Sequence, residues 1–378
     1  MRIYNLQFKI ISDQMNVPLA NAFIGEEEAK AVYDVVKSGW ISQGKKVEEF
    51  ENDFKRTVDA KHAIAVNNGT SALHVCLMAL GIGPGDEVIL PSLTFISTAS
   101  VALFQHATPV LAECNPKTYN VTGKDIEKLI TKKTKAIIPV DMNGMPIDYD
   151  EILEVAEKHS LPVIADSAES LGATYKKKKI GCIAPIHCFS FFPNKNVTTG
   201  EGGMVTTEDD ELAVKMRKIR SHGQEWRYHH VMLGNNYRMT EMQAALGIVQ
   251  LRNLDNVLKA KEKIVRRYNE AFADNKHIQT PYVPDYVTRH AWYMYTISVD
   301  RKMRDQIVQK LKEHGIDTRL SFPPIHAQPL FKEKFGFHEE YLPITFDAWS
   351  KLINIPIGPK MTNEEQDYVI NNLVELSR

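Results

Sequence analysis

Cysteine is scarce in this sequence. Cys76, Cys114, Cys182 and Cys188 are scattered among 378 residues with no CxxC pair. Neither a disulfide framework nor a metal site is expected, and the thiols read as small core residues of a reducing compartment. No stretch of roughly eighteen apolar residues occurs, so no helix is expected to span a membrane. The N-terminus, its apolar pattern broken by Lys9 and Asp13 after Arg2, has no signal-peptide core. A cytoplasmic location is the expectation. The formal net charge is only −1, which argues against nucleic acid or an anionic membrane as partner. The short basic run Lys176–Lys179, between Tyr175 and Ile180-Gly181, reads as a solvated hairpin turn, with a phosphate site the lesser alternative. There is no internal repeat and no low-complexity tract.

The chain is otherwise that of an ordinary globular protein, 43% hydrophobic and 25% charged. It is too long for one simple core, and two domains are expected, residues 1–254 and 255–378. Glu26–Lys37 has helical periodicity and stops at Ser38-Gly39 as a glycine cap would stop it. Trp40 follows in a Gly/Ser-rich turn, as a packing anchor or a ligand contact. After a second helix from Val47 to Phe54, short apolar strands alternate with amphipathic helices. The strands are Ala63–Val66, Val88–Leu90, Pro109–Leu111, Ala136–Val140 and Pro162–Ala165. The helices are Ala72–Leu80, Phe95–Phe104, Lys124–Ile130 and Tyr149–Lys158. Such alternation means βα units and a mainly parallel sheet covered on both faces. Shorter strands follow at Ile186–Phe191 and Met204–Thr206, then a helix, Glu211–Arg220. Thr240–Ala273 reads as one long helix, broken or bent near Asn253. The rest resembles a smaller α+β unit: a strand over Trp292–Val299, a helix over Met303–Glu313, and a last helix opening at Thr362 with Glu365 as its capping-box partner.

Ligands of parallel α/β sheets bind beyond the carboxyl ends of the strands, and four features fall there. Asn67-Asn68-Gly69-Thr70-Ser71 joins a strand to a helix, so it offers free N–H groups and hydroxyls to an anion, or is a plain N-cap. Phe95 stands where an aromatic stacks on a flat ring, or in the core. Asp166 ends a buried strand, where a carboxylate calls for a cationic partner, unless it caps the next segment. Lys195, in FSFFPNKNVTTGEGGMVTT, lies between an apolar run and a glycine turn. Taken alone it is a surface lysine in a turn. Partly desolvated, it would have a lowered pKa and act as a Schiff-base nucleophile. Ser190 lies upstream as a phosphate ligand. Together these are the parts a pyridoxal phosphate site requires.

The stretches SGWISQGKKVEEFE, VNNGTSALH, DEVILPSLTFISTA, TKAIIPV, IADSAESLGA, FSFFPNKNVTTGEGGMVTT, NNYRMTEMQAALG and GIDTRLSFPPIH closely resemble the DegT/DnrJ/EryC1/StrS family of pyridoxal-phosphate aminotransferases, which act on keto-sugars. The resemblance runs from Val17-Pro18 to the final helix. It implies the type I, aspartate aminotransferase-like fold, with a mainly parallel seven-stranded sheet plus a smaller C-terminal α+β domain. It also implies a homodimer with shared sites. By this resemblance Lys195 forms the internal aldimine and Asp166 partners the pyridine nitrogen. Glu169 contacts the ring hydroxyl where many members have glutamine. Gly69, Thr70, Ser71 and Ser190 hold the phosphate, Phe95 stacks on the ring, and Asn236 reaches the phosphate of the neighbouring subunit. Trp40, Arg319 and His326 are candidate substrate contacts. The resemblance leans to the perosamine-synthase branch, hence to a nucleotide-linked keto-sugar as acceptor and glutamate as donor. Amination of a cyclitol, dehydration, or a non-catalytic regulator are the alternatives. Lys195, where the dehydratases carry histidine, speaks against dehydration.

Overall fold

The computed structural model describes residues 15–377; the N-terminal pattern with Arg2, Lys9 and Asp13 lies outside them. Helices α1 (Glu26–Ser38) and α2 (Lys45–Val58) precede β1 (His62–Val66) and α3 (Gly69–Leu80). Then come β2 (Glu87–Pro91), α4 (Ser97–Phe104), β3 (Thr108–Ala112), α5 (Gly123–Glu127), β4 (Thr134–Ile137), α6 (Tyr149–Lys158) and β5 (Ile164–Asp166). A hairpin of β6 (Thr174–Tyr175) and β7 (Lys178–Lys179) leads to β8 (Ile186–Ser190), β9 (Gly203–Thr207) and α7 (Asp210–Arg220). A second hairpin, β10 (Gln224–Trp226) and β11 (His229–His230), precedes α8 (Glu241–Phe272). The chain ends with β12 (Val287–Arg289), β13 (Tyr295–Ser298), α9 (Arg301–Glu313), α10 (Pro329–Phe335), α11 (Pro343–Trp349), β14 (Leu352–Ile355) and α12 (Asn363–Leu376).

Seven strands make the central sheet in the order β3-β2-β4-β5-β8-β9-β1. β3, β2 and β4 pair in parallel, the bridges Ile137↔Val163 and Val140↔Asp166 continue the sheet to β5, and β5 pairs in parallel with β8. Only β9 runs antiparallel, between β8 and β1. Because side chains alternate along a strand, β1 sends Ala63 and Ala65 into one core and Ile64 and Val66 into the other. The first core takes Phe50 and Phe54 of α2, Ile152 of α6 and Leu254 of α8. The second takes Leu73 and Leu77 of α3, Val101 of α4 and Met216 of α7. Burial on both faces explains the unbroken apolar runs of the strands.

The expected hairpin at Lys176–Lys179 forms. Lys176 and Lys177 adopt positive φ values of 46° and 67° at its tip, the geometry of a two-residue hairpin loop. Gly39 caps α1 at φ 76°, and Thr362 with Glu365 forms the capping box of α12.

Four local expectations need correction. α8 is continuous through Asn253, because an internal asparagine lowers helix propensity without removing a backbone hydrogen bond, and the buried stripe Leu251, Leu254, Leu258 runs on unbroken. α4 starts at Ser97, after Phe95. Strand β13 starts only at Tyr295, since Trp292 stands at φ 48°, outside the β region. Trp40 is no packing anchor: it is 64% exposed. Past Gly39 the chain turns over the start of α8, where the buried Glu241 carboxylate accepts the N–H groups of Gly44, Lys46 and Val47 at the head of α2, each at 2.9 Å.

A third core gathers Val17, Ile264, Val265, Tyr268 and Phe272 of α8, Ile297, Leu311, Ile355 and Val369. Ile325, Phe331 and Leu342 instead pack into the second core. We infer that the smaller unit joins the larger inside α8, between Leu258 and Ile264, and that the segment around Ile325–Leu342 belongs to the larger unit.

Candidate active site

The loops after β1, β2, β5 and β8 converge on one cavity of about 520 Å³. Gly69, Thr70, Phe95, Asp166, Glu169, Ser190, Lys195 and Arg319 all line it, brought from across 250 residues of sequence by the parallel topology. Four sequence candidates do not. Ser71 is buried within α3 while its backbone N–H is taken by the capping Asn68 Oδ1 at 2.8 Å. His326 is buried, its Nδ1 against Ser92 Oγ at 2.7 Å, so it ties the 325–327 turn to the end of β2. Trp40 lines a different cleft, with Val35, Ile248 and Val249. Asn236 is exposed and also outside this cavity, as a residue serving a neighbouring chain has to be.

An anion cradle is built by close approach. A Cβ on Gly69 would lie 2.9 Å from Ser190 Cβ, and one on Gly203 would lie 2.4 Å from the Asn68 carbonyl oxygen. Only glycine lets the turn after β1 settle on the ends of β8 and β9. α3 begins at Gly69, so its first N–H groups and its positive dipole end point into the cavity beside the Ser190 and Thr70 hydroxyls.

Asp166 is buried, and its carboxylate accepts from Thr98 Oγ1 at 2.9 Å and from the Ala168 N–H at 3.2 Å. Burial pushes its pKa above the ordinary value against these two bonds and the charge of Lys195. No cation forms an ion pair with it among the described residues; Lys195 sits instead with Glu169, Nζ to Oε1 at 3.4 Å. A protonated ring nitrogen is the partner such a carboxylate lacks. Glu169 is fixed from its other side by the Asn143 N–H, 2.7 Å from Oε2, and burial raises its pKa as well.

Lys195 differs from expectation in its proton affinity. Burial does pull its pKa down, but Tyr293, Glu169 and Asp166 together pull harder the other way, and it ends above the ordinary lysine value. The amine is buried yet flanked by two carboxylates, with the Tyr293 ring centroid 3.9 Å from Nζ. Desolvation dominates only where countercharge is missing.

Phe95 is half exposed at the cavity wall, its ring 5.3 Å from that of Phe322. Sequence reasoning missed Thr98, Asn143 and Tyr293. Thr98 lies in the first turn of α4, three residues after Phe95, where a hydroxyl beside the strand ends is the available signal. Asn143 acts through its backbone and Tyr293 comes from the far side of α8, so neither leaves a local signal. The phosphate cradle, the cation-seeking Asp166 and the amine on the same cavity fit pyridoxal phosphate.

A profile of the DegT/DnrJ/EryC1/StrS aminotransferase family matches residues 22–374. The chain is 42% identical over 367 residues to the GDP-perosamine synthase of Caulobacter vibrioides, covering 95% of this chain and 98% of that one. It is 40% identical over 371 residues to the spore coat polysaccharide biosynthesis protein SpsC of Bacillus subtilis, covering 94% and 95%. Among solved structures, the PLP form of the putative sugar aminotransferase Spr1654 from Streptococcus pneumoniae superposes with a TM-score of 0.92 at 31% identity, over 96% of this chain and 99% of that one.

Proposed function

The chain belongs to the DegT/DnrJ/EryC1/StrS aminotransferase family, and on that premise we propose that it aminates a nucleotide-linked keto-sugar with glutamate as donor. It is a pyridoxal-phosphate-dependent aminotransferase of the type I fold. The observation that carries the residue assignment is the juxtaposition, in one cavity, of a buried Asp166 without a cation and the Lys195 amine.

Pyridoxal phosphate, when bound, supplies an electron sink that stabilises negative charge on the carbon under attack. Asp166 keeps the ring nitrogen protonated, and Thr98 holds the carboxylate that does so. The N-terminus of α3, with Thr70 and Ser190, holds the phosphate. Phe95 bounds the ring face and Glu169 takes the ring hydroxyl. Lys195 would anchor the ring and then move a proton: Nζ would take it from the donor's Cα and return it to the cofactor's C4′ carbon. One base within reach of both suffices. To accept a proton Nζ has to be neutral, and a carboxylate already engaged by a ring cation no longer holds the lysine's proton. Engaging Asp166 would thus remove one of the three groups that hold the lysine's proton, the others being Tyr293 and Glu169.

Support for the sugar comes from the relatives, of which one is named a GDP-perosamine synthase, and from the exposed Arg319 at the cavity wall, a cation suited to a diphosphate. Four cysteines without disulfides accord with a cytoplasmic setting, and none of the helices of the described residues is long and apolar enough to cross a membrane. The test is incubation of the purified protein with glutamate and a panel of nucleotide-linked keto-sugars, reading 2-oxoglutarate release and the mass of the sugar product. Release of 2-oxoglutarate with none of the panel would remove the substrate assignment.

A further inference from the structure

Behind the cavity, α8 carries a lysine that the chemistry above does not use. Lys261 is 2% exposed, and no ion pair among the described residues includes it. Its Nζ donates to Asn196 Oδ1 at 2.8 Å, to the Trp292 carbonyl at 3.1 Å and to the Tyr293 carbonyl at 3.5 Å. These are three oxygens for the three protons of an ammonium, with no carboxylate to offset the burial. Burial, with repulsion from Lys195, pulls its pKa down to about 7.

Its partners tie two separate segments together. Asn196 follows Lys195 in the chain, and its Nδ2 donates to the Ala291 carbonyl at 2.7 Å. Trp292 is held in the left-handed region at φ 48°, a conformation a bulky residue adopts only under constraint. Its N–H donates to His290 Nδ1 at 2.8 Å and its ring stacks on that imidazole with centroids 3.9 Å apart. The Ala291 N–H donates to the Gly144 carbonyl at 2.9 Å. Tyr293, next in the chain, then presents its ring to Lys195 Nζ. The segment 290–293 is therefore pinned at every residue before the tyrosine, and the pins on 291–293 that come from the lysine turn and from α8 are Asn196 and Lys261.

We propose that Lys261 is a positioning residue: with Asn196 it clamps the backbone of residues 291–293, so that the Tyr293 ring stays against Lys195 Nζ and sets the proton affinity of that amine. An aromatic face stabilises the cationic form of a desolvated lysine. A ring free to swing away would leave burial opposed only by Glu169 and Asp166, and the proton affinity of Lys195 would fall. The groups facing Lys195 are Tyr293, Glu169 and Asp166, and those coupled to Lys261 are Lys195 and His290. The proposal takes its functional meaning from Lys195 as the reacting amine, but its test needs no sugar and no turnover.

The experiment uses the full-length protein stripped of pyridoxal phosphate. Acetic anhydride labels Lys195 between about pH 7 and 12, a range that brackets an amine held above the ordinary lysine value, and peptide mass spectrometry gives the midpoint of its rate profile. With a pKa of about 7, Lys261 loses its charge across the lower end of this range, while the neutral amine keeps two N–H donors for the clamp. Lys261→Met and Asn196→Ala are each expected to lower the Lys195 midpoint by about half a pH unit or more, as Tyr293→Leu does directly. Adding Lys261→Met to Tyr293→Leu is expected to produce no further shift. A wild-type midpoint in both single variants overturns the proposal, and so does an equal Lys261→Met shift with and without the tyrosine ring. Thermal melts accompany each variant, and if Lys261→Met does not fold, Asn196→Ala decides.

Discussion

Lys195 keeps its proton in a place where burial alone would strip it, and this inverts the usual picture of a catalytic lysine activated by desolvation. The amine sits between Glu169 and the Tyr293 ring, so its neutral form has to be produced by redistributing charge within the site. Asp166 contributes to that balance after Tyr293 and Glu169, and it is the group placed to meet a ring cation. Asp166→Asn keeps the shape and the Thr98 contact but cannot hold a ring nitrogen protonated. The expected outcome is a protein that retains its cofactor with activity down at least about 100-fold, roughly the 3 kcal/mol of one lost electrostatic contact; turnover within twofold of wild type would remove its role. Lys261 offers a second check at this scale. Its folded-state pKa of about 7 lies below the ordinary lysine value of 10.5. Between those values the unfolded chain therefore binds the extra proton, and stability rises with pH. From pH 7 to 8.5 the unfolding free energy of wild type is expected to climb by up to about 1.4 kcal/mol per pH unit relative to Lys261→Met. Parallel curves from urea titrations of the two proteins would show that Lys261 keeps an ordinary proton affinity.

Helix α2 never touches the cavity yet decides the shape of its floor. Phe50 and Phe54 pack on Phe191, and Phe54 also on Phe189, with centroids 5.0–5.6 Å apart, so the strand that ends in Ser190 and the turn that carries Lys195 rest on this helix. The helix head is held by a single side chain, Glu241 of α8, which accepts three of its N–H groups. Glu241→Ala leaves the buried Val47 N–H and the half-buried Gly44 and Lys46 N–H groups unpaired. The expected cost is about 1–3 kcal/mol in the urea unfolding midpoint, with the Lys195 turn loosened as a consequence. An unchanged midpoint would mean that water replaces the carboxylate without penalty. α8 itself spans both units: its N-terminal half packs in the first core and its C-terminal half in the third. A substitution in this one helix is therefore felt on both sides of the cavity.

The whole molecule exposes large apolar side chains close together in one stretch of its surface. Trp226, Tyr228 and Leu233 are 59%, 76% and 83% exposed on and after the β10–β11 hairpin, and Asn236 follows a few residues on, outside its own cavity. We infer a homodimer in which this hairpin face packs on a second copy, consistent with the concentration of exposed apolar residues that marks an interface. Native mass spectrometry is expected to show a dimer for wild type. Leu233→Glu is expected to weaken association at least about tenfold, since a charge is placed in apolar contact, and to loosen cofactor binding in step. A wild-type monomer, or an unaffected dimer in the variant, would discard this face.

Much of this molecule was readable before any coordinate. Buried parallel strands have to be continuous apolar runs, glycine caps and capping boxes are local chemistry, and a lysine beside TTGEGG reads in one window; hence the sheet, most helix ends and the Asp166, Lys195 and Gly69 positions were legible. Ser71, His326 and Trp40 stand outside the cavity because facing direction depends on where a helix or turn is packed, and a motif does not record that. Thr98, Asn143, Tyr293 and Lys261 lie in separate segments whose meeting depends on the path of α8 and the closing of residues 290–293 over the lysine turn. The sign of the Lys195 shift belongs to the same class: a lone lysine and a burial argument point downward, and only the placement of two carboxylates and an aromatic ring around Nζ reverses it, because electrostatic energy depends on distances between groups that the chain order leaves far apart.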